Sequence, residues 1–161
     1  MIVIADTSPL NYLVLTGYES LLPQLFGSIL IPQAVVDELG DAKASQVVRD
    51  WIGNPPLWLE VHPAPQLLPA LQHLGKGELE GILLAEALHA DLLLIDDATA
   101  REEAERRSFQ VTSTLGVLRL AARQGLIDLP EALSRLRSTS FFVAPSLLER
   151  LLREWEQSER S

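Results

Sequence analysis

Acidic residues follow two apolar segments of this 161-residue chain, at the point where each segment ends. Asp6 comes directly after Ile2–Ala5, and Asp96 and Asp97 come directly after the run Leu92–Ile95. Consecutive apolar residues without polar alternation are typical of strands buried on both faces of a parallel sheet. The carboxyl ends of such strands meet at one edge, where ligands bind in open α/β sheets. We therefore expect these carboxylates to lie close together.

Further acids belong to predicted helices. Glu38 lies in the segment QAVVDELG, three residues after Val35, which places it near the inward-facing side of a short helix. Glu78 and Glu80 follow Gly75 and Gly77 at a helix start, and their spacing sets them about 200° apart around the axis, so only one faces the site. Clustered carboxylates repel each other unless a cation is present. An all-oxygen set suits Mg²⁺ or Mn²⁺.

Strand and helix patterns alternate along the whole chain. Short apolar strands are predicted at 2–5, 28–32, 57–61, 91–96 and 109–113, with helices between them, and Ser8 before Pro9 predicts the first helix start. This alternation predicts an α/β fold with a parallel sheet. By length the chain forms one domain, with a core over 1–127 and a helical C-terminal extension over 128–161.

Composition excludes several classes of protein. There is no cysteine, which rules out disulfides and thiolate metal sites and fits a cytoplasmic protein. No apolar run reaches the length of a membrane span, and the start does not read as a signal peptide. The three histidines have no spacing that indicates a zinc site, and no phosphate-binding glycine fingerprint occurs.

Charge is distributed unevenly. The net charge is −9, yet residues 1–100 carry 13 acidic and 3 basic residues, whereas residues 101–161 carry 9 acidic residues and 10 arginines. The overall charge argues against sequence-blind nucleic-acid binding. The planar guanidinium group, however, suits phosphate. Arg101 and Arg107 are therefore the residues that we expect to contact the phosphate groups of a substrate.

Four segments together resemble the PIN domain family. They are IADTSPL, IPQAVVDELG, GKGELEGILLAEALHADLLLIDDATAREEA and VTSTLGVLRLAARQGLI, which cover roughly residues 1–127 in order. Within that family they look closest to the small prokaryotic branch of VapC-like toxins. The resemblance implies a three-layer α/β/α fold with a parallel sheet. It also implies metal-dependent cleavage of RNA, as the toxin of a toxin–antitoxin pair, with Mg²⁺ or Mn²⁺ as cofactor.

The resemblance also implies roles for individual residues. The four acids would be Asp6, Glu38, Glu78 and Asp97, with Asp96 as the alternative to the last. Hydroxyl groups would support them: Thr7 and Ser8 would orient Asp6, and Ser113 and Thr114 would border the site. One departure is Asn11, which stands where the branch usually has an aliphatic residue.

The C-terminal segment carries an apolar stripe at helical spacing, formed by Leu147, Leu148, Leu151, Leu152 and Trp155. If exposed, it would serve a homodimer or an antitoxin-like partner. A second hypothesis is a catalytically silent, PIN-like protein-binding module, which metal binding would distinguish from a nuclease. A third is a phosphoaspartate receiver, but no lysine follows the last strand to contact phosphate.

Overall fold

The computed structural model describes residues 1–65 and 73–160, and the sheet within them is entirely parallel. Its strand order is β3-β2-β1-β4-β5, and the central strand β1 pairs with β2 at Ile4–Leu30 and with β4 at Ala5–Leu94. The predicted parallel α/β sheet is therefore confirmed. The strands are β1 (Val3–Ala5), β2 (Ile29–Pro32), β3 (Leu59–His62), β4 (Leu92–Leu94) and β5 (Val111–Thr112).

Helices cover both faces of the sheet. Alternate strand residues point to opposite sides, so Val3 and Ala5 pack into one hydrophobic cluster and Ile4 into the other. The helices are α1 (Thr7–Thr16), α2 (Leu21–Phe26), α3 (Gln33–Leu39), α4 (Gln46–Gly53), α5 (Lys76–Leu88), α6 (Ala98–Arg106), α7 (Thr114–Arg123), α8 (Leu129–Arg137) and α9 (Pro145–Glu159). The first cluster includes residues of α1 to α4 and of α7 to α9, and the second includes residues of α5 and α6.

The first helix begins earlier than predicted. Asp6, whose backbone is extended, occupies the N-cap position of α1. Because the helix starts at Thr7, Ser8 is not its cap. Pro9 fits in the first turn because the first four amides of a helix have no partner within it. The early start places Asp6 at the junction of β1 and α1. Helix α2 lies in a segment for which the sequence indicated no helix.

The C-terminal stripe is part of the protein's own core. Leu151 is only 2 % exposed, and the other four members of the stripe pack against the first hydrophobic cluster. The stripe is therefore not an exposed surface, because α7 and α8 extend the core beyond the sheet and α9 closes over them. The homodimer itself stays a prediction. Among the described residues, no helix is both long and apolar enough to cross a membrane.

Candidate active site

An open pocket of about 300 Å³ lies at the carboxyl end of β1, where the chain passes into α1. Residues from α1, α3 and the start of α5 surround it. Three of its lining residues are acids, which is the type of side chain that the sequence predicted at this edge. The lining residues are Asp6, Thr7, Ser8, Asn11, Tyr12, Glu38, Gly75, Gly77 and Glu78.

Asp6 is the buried acid of the pocket. It is only 6 % exposed, because it ends the central strand of the sheet. Burial, with smaller contributions from nearby Glu78, Glu38 and Asp96, raises the pKa of its carboxyl from 3.8 to about 7, although a hydrogen bond from the backbone of Thr7 lowers it. Burial is thus the main reason why the charged form of this carboxyl is disfavoured.

Glu38 reaches the same point from α3. Its carboxylate accepts hydrogen bonds from the Thr7 hydroxyl and, at 3.0 Å, from the backbone amide of Gly77. A Cβ placed on Gly77 would lie 2.9 and 3.0 Å from the two Glu38 oxygens and 3.1 Å from Oδ1 of Asp6. The two acids therefore converge on the backbone of α5, at a position where only glycine leaves them room.

The two candidate acids of α5 point in different directions. Glu78 lines the pocket and caps its own helix, with Oε2 accepting from the Gly75 amide at 3.2 Å. Burial raises the pKa of Glu78, and nearby Asp97 and Glu38 add to the rise. Glu80 instead accepts a hydrogen bond from the Ala34 amide at 3.1 Å, which ties α5 to the first turn of α3. The structure thus places Glu78, and not Glu80, in the pocket.

The two aspartates after β4 also differ. Asp96 accepts hydrogen bonds from the Ser8 hydroxyl at 2.6 Å and from the amide and hydroxyl of Thr114, each at 2.7 Å. Asp97 caps α6 by accepting from the Ala100 amide at 2.9 Å. Asp96 is the member of the pair that raises the pKa of Asp6, and Asp97 raises that of Glu78. Neither lines the pocket itself.

The hydroxyl groups act on partners that the sequence did not indicate. Thr7 and Ser8 were expected to orient Asp6, but their hydroxyls donate to Glu38 and Asp96 instead. Ser113 caps α7 by accepting from the Gly116 amide at 3.1 Å, and Thr114 holds Asp96. These contacts join segments up to 88 residues apart, so helical or strand periodicity does not reveal them.

Comparison with known proteins identifies the family of this chain. A family model described as a PIN domain, DUF3368, matches residues 2–157. The chain belongs to the PIN domain family. PIN domains form a superfamily of nucleases that typically use divalent metals. This membership agrees with the resemblance noted in the sequence, while the narrower VapC-like branch stays a prediction.

A solved structure shares the fold. It is a PilT N-terminus domain protein from the hyperthermophilic archaeon Sulfolobus solfataricus P2, with a TM-score of 0.51 and 14% sequence identity. The match covers 89% of this chain and 100% of that one. No curated protein matches this chain in sequence.

The donor set of this PIN domain suits a hard cation. No lysine or arginine within residues 1–65 and 73–160 forms an ion pair with Asp6, Glu38 or Glu78. Carboxylate oxygens are the ligands that Mg²⁺ and Mn²⁺ prefer. No group of three or more acidic, histidine or cysteine side chains in the described residues is already arranged around an ion position. Asp6 and Glu38 are the pair that converges, whereas Glu78 is turned toward Gly75.

The two arginines expected to contact the phosphates of RNA differ in the ion pairs that they form within the protein. Arg107 is engaged by Glu103, at 2.9 Å, and by Glu86, so its guanidinium is committed to the protein. Arg101, on the same helix α6, forms no ion pair in the described residues, and its Nε is buried without a hydrogen-bond partner. Arg101 is therefore the one of the two whose charge is not already matched.

A groove of about 450 Å³ lies between α7 and α9, away from the acids. Its lining includes Arg119, Arg123, Leu151, Glu154 and Trp155. The carboxylate of Glu154 is paired with Arg119 at 3.0 Å. The groove offers no converging acids, so it is not the candidate active site.

Proposed function

We propose that this PIN domain is a metal-dependent ribonuclease that hydrolyses RNA phosphodiester bonds at the pocket beside β1. One observation carries the proposal. Oδ1 of the buried Asp6 and both carboxylate oxygens of Glu38 lie within 3.1 Å of the position that a Cβ on Gly77 would occupy. No basic side chain in the described residues forms an ion pair with either acid. Uncompensated carboxylates this close favour occupation by a cation.

Asp6 and Glu38 would hold the Mg²⁺ or Mn²⁺ ion, and Glu78, on the wall of the same pocket, would join them after leaving its contact with Gly75. Asp96 and Asp97 are the two candidates for the fourth acid, as the resemblance implies. When bound, a divalent cation supplies positive charge for the oxygens of the scissile phosphate and makes a nearby water more acidic.

The protein's own groups keep the acids in position. The Thr7 hydroxyl and the Gly77 amide donate to the two oxygens of Glu38, which fixes the plane of that carboxylate. Ser8 and Thr114 together hold Asp96, which lies close enough to influence the pKa of Asp6. Such hydrogen bonds from outside the ligand set orient metal ligands and are typically worth 10–100-fold in affinity or activity, as an order of magnitude.

RNA as the substrate is supported by the resemblance of the chain and by the excess of arginine after residue 100. Arg101 is the residue that we assign to phosphate contact, because its guanidinium lacks an acidic partner among the described residues. Arg107, in contrast, holds α6 to α5 through Glu86. The net charge of −9 implies that binding depends on local positive charge and on the cation.

We further propose that the protein acts as the toxin of a toxin–antitoxin pair, as a homodimer bound by an antitoxin. The support is the VapC-like pattern of the DTSP and LLLIDDATAR segments. The stripe on α9 is not part of that support, because it packs against the core.

Cleavage of a labelled single-stranded RNA tests the proposal. The wild-type protein should cut with Mn²⁺ and stop with EDTA. Glu38→Gln should reduce the rate by about 100-fold, because it removes a charge that acts on the reacting phosphate through the cation. Asp37→Asn is the matched control, because Asp37 is the exposed neighbour on α3 and its carboxylate accepts a hydrogen bond from Gln33 of the same helix. Equal cutting by the two variants, or none by the wild type, would favour a catalytically silent binding module.

A further inference from the structure

Two side chains of the pocket have no part in holding the acids. Asn11 and Tyr12 lie on α1, one turn after Thr7, and both line the pocket that contains Asp6 and Glu38. The carboxamide of Asn11 is half-buried and makes no hydrogen bond within residues 1–65 and 73–160. A side-chain carboxamide that lines a pocket and has no partner in the described part of the protein keeps its donor and its acceptor available to a ligand.

Tyr12 is held in place by the segment that connects α8 and α9. Its ring stands edge-on to Phe141, with centroids 5.0 Å apart at 81°, and its hydroxyl lies 2.9 Å from the Ser140 hydroxyl. Both partners lie in the connection between α8 and α9. The C-terminal extension does not line the pocket itself, but it holds in place the aromatic ring of a residue that does.

We propose that Asn11 and Tyr12 select the nucleobase next to the phosphate that is cleaved, and that the favoured base is adenine. This inference rests on the proposed ribonuclease function. Asn11 begins about 6 Å further along α1 than Thr7, whose hydroxyl contacts Glu38. A base attached to the sugar beside a phosphate at the acids is therefore within its reach.

The chemistry of single-stranded RNA favours this pair of residues. Sequence-specific recognition of RNA relies on unstacked bases that pack on aromatic rings and form hydrogen bonds along their edges. A carboxamide presents one donor and one acceptor side by side. Asn and Gln pair in this bidentate way with the N6 and N7 of adenine. A pocket of about 300 Å³ is at the small end of the usual range for ligand sites, which suits a single base and its sugar.

Binding of short RNAs tests the inference without requiring cleavage. Four fluorescent pentanucleotides differ only in a central A, C, G or U between uridines, and Asp6→Asn protein is used so that they are not cut. Fluorescence anisotropy should show about 10-fold tighter binding of the RNA with central A. Adding Asn11→Leu should abolish that preference. Adding Gln124→Leu, the same kind of exchange at an exposed position at the far end of α7, should leave it intact.

A second arm measures cleavage, so that the two proposals can fail separately. Wild-type protein with Mn²⁺ is incubated with a randomised RNA pool, and the new ends are sequenced. An adenine preference that depends on Asn11 in binding, without any cleavage, would support base selection and overturn the nuclease function. Cleavage without a preference that depends on Asn11 would overturn base selection alone. Absence of both binding and cleavage would overturn both.

Discussion

Replacing Asp6 by asparagine should change how the stability of the metal-free protein depends on pH. The pKa of Asp6 is raised from 3.8 to about 7 in the folded state, chiefly by burial. The folded protein therefore keeps a proton that the unfolded chain releases between about pH 4 and pH 7. Because the folded state binds more protons in this window, stability is fully present below pH 4 and falls as the pH rises to about 7.

The size of the effect follows from the pKa values. One pKa unit corresponds to about 1.4 kcal/mol, so a rise from 3.8 to about 7 corresponds to about 4 kcal/mol lost across the window. Asparagine has nearly the same shape and no charge, so Asp6→Asn removes this loss. The variant should be close to the wild type in stability at pH 4.5 and several kcal/mol more stable at pH 8.

Urea unfolding in EDTA at pH 4.5, 6 and 8 measures this difference. Comparing each variant with the wild type at the same pH cancels the titration of the chain's other acids. Asp37→Asn, an exposed position on α3, should show no difference that grows with pH. If the gap between Asp6→Asn and the wild type is the same at pH 4.5 and pH 8, the account of Asp6 as a buried, uncompensated acid is refuted.

Three further predictions address the metal, the glycine and the C-terminal helix. Millimolar Mn²⁺ should raise the melting temperature of the wild type in a thermal scan, and Asp6→Asn should lose most of that rise, since ligands that bind the native state stabilise it. Gly77→Ala should weaken Mn²⁺ binding in calorimetry, because its Cβ would crowd Glu38 and Asp6, whereas Gly81→Ala, with no neighbour nearer than 4.0 Å, should bind Mn²⁺ normally. Leu151→Ala should cost about 2–5 kcal/mol of unfolding free energy, and Phe142→Ala, at an 80 % exposed position, should cost little.

Much of the fold and part of the site could be predicted from local sequence. Unbroken apolar runs identified β1 and β4, and the acid that follows β1 identified the edge of the sheet where the candidate pocket lies. The spacing of Glu78 and Glu80 predicted that only one faces the site, and the structure places Glu78 in the pocket. These inferences succeeded because they depend on residues adjacent in the chain.

Other features depend on contacts across the fold. The Ser8 hydroxyl joins Asp96, 88 residues away, and no local pattern distinguishes this partner from Asp6. Whether the stripe on α9 is exposed depends on how much core α7 and α8 leave uncovered, which periodicity does not report. The sequence suggested that Arg107 is free to contact substrate, but its guanidinium pairs with Glu86 of another helix, α5. Tertiary packing decides each of these cases.

Anomalous diffraction from crystals soaked in Mn²⁺ tests the central claim most directly, because it locates the ion without reference to activity. A manganese peak is expected at the carboxyl end of β1, with carboxylate oxygens of both Asp6 and Glu38 at about 2.0–2.3 Å from it. Crystals of the Asp6→Asn variant, soaked in the same way, should lack that peak. A wild-type crystal with manganese elsewhere on the surface, and none between Asp6 and Glu38, would contradict the account.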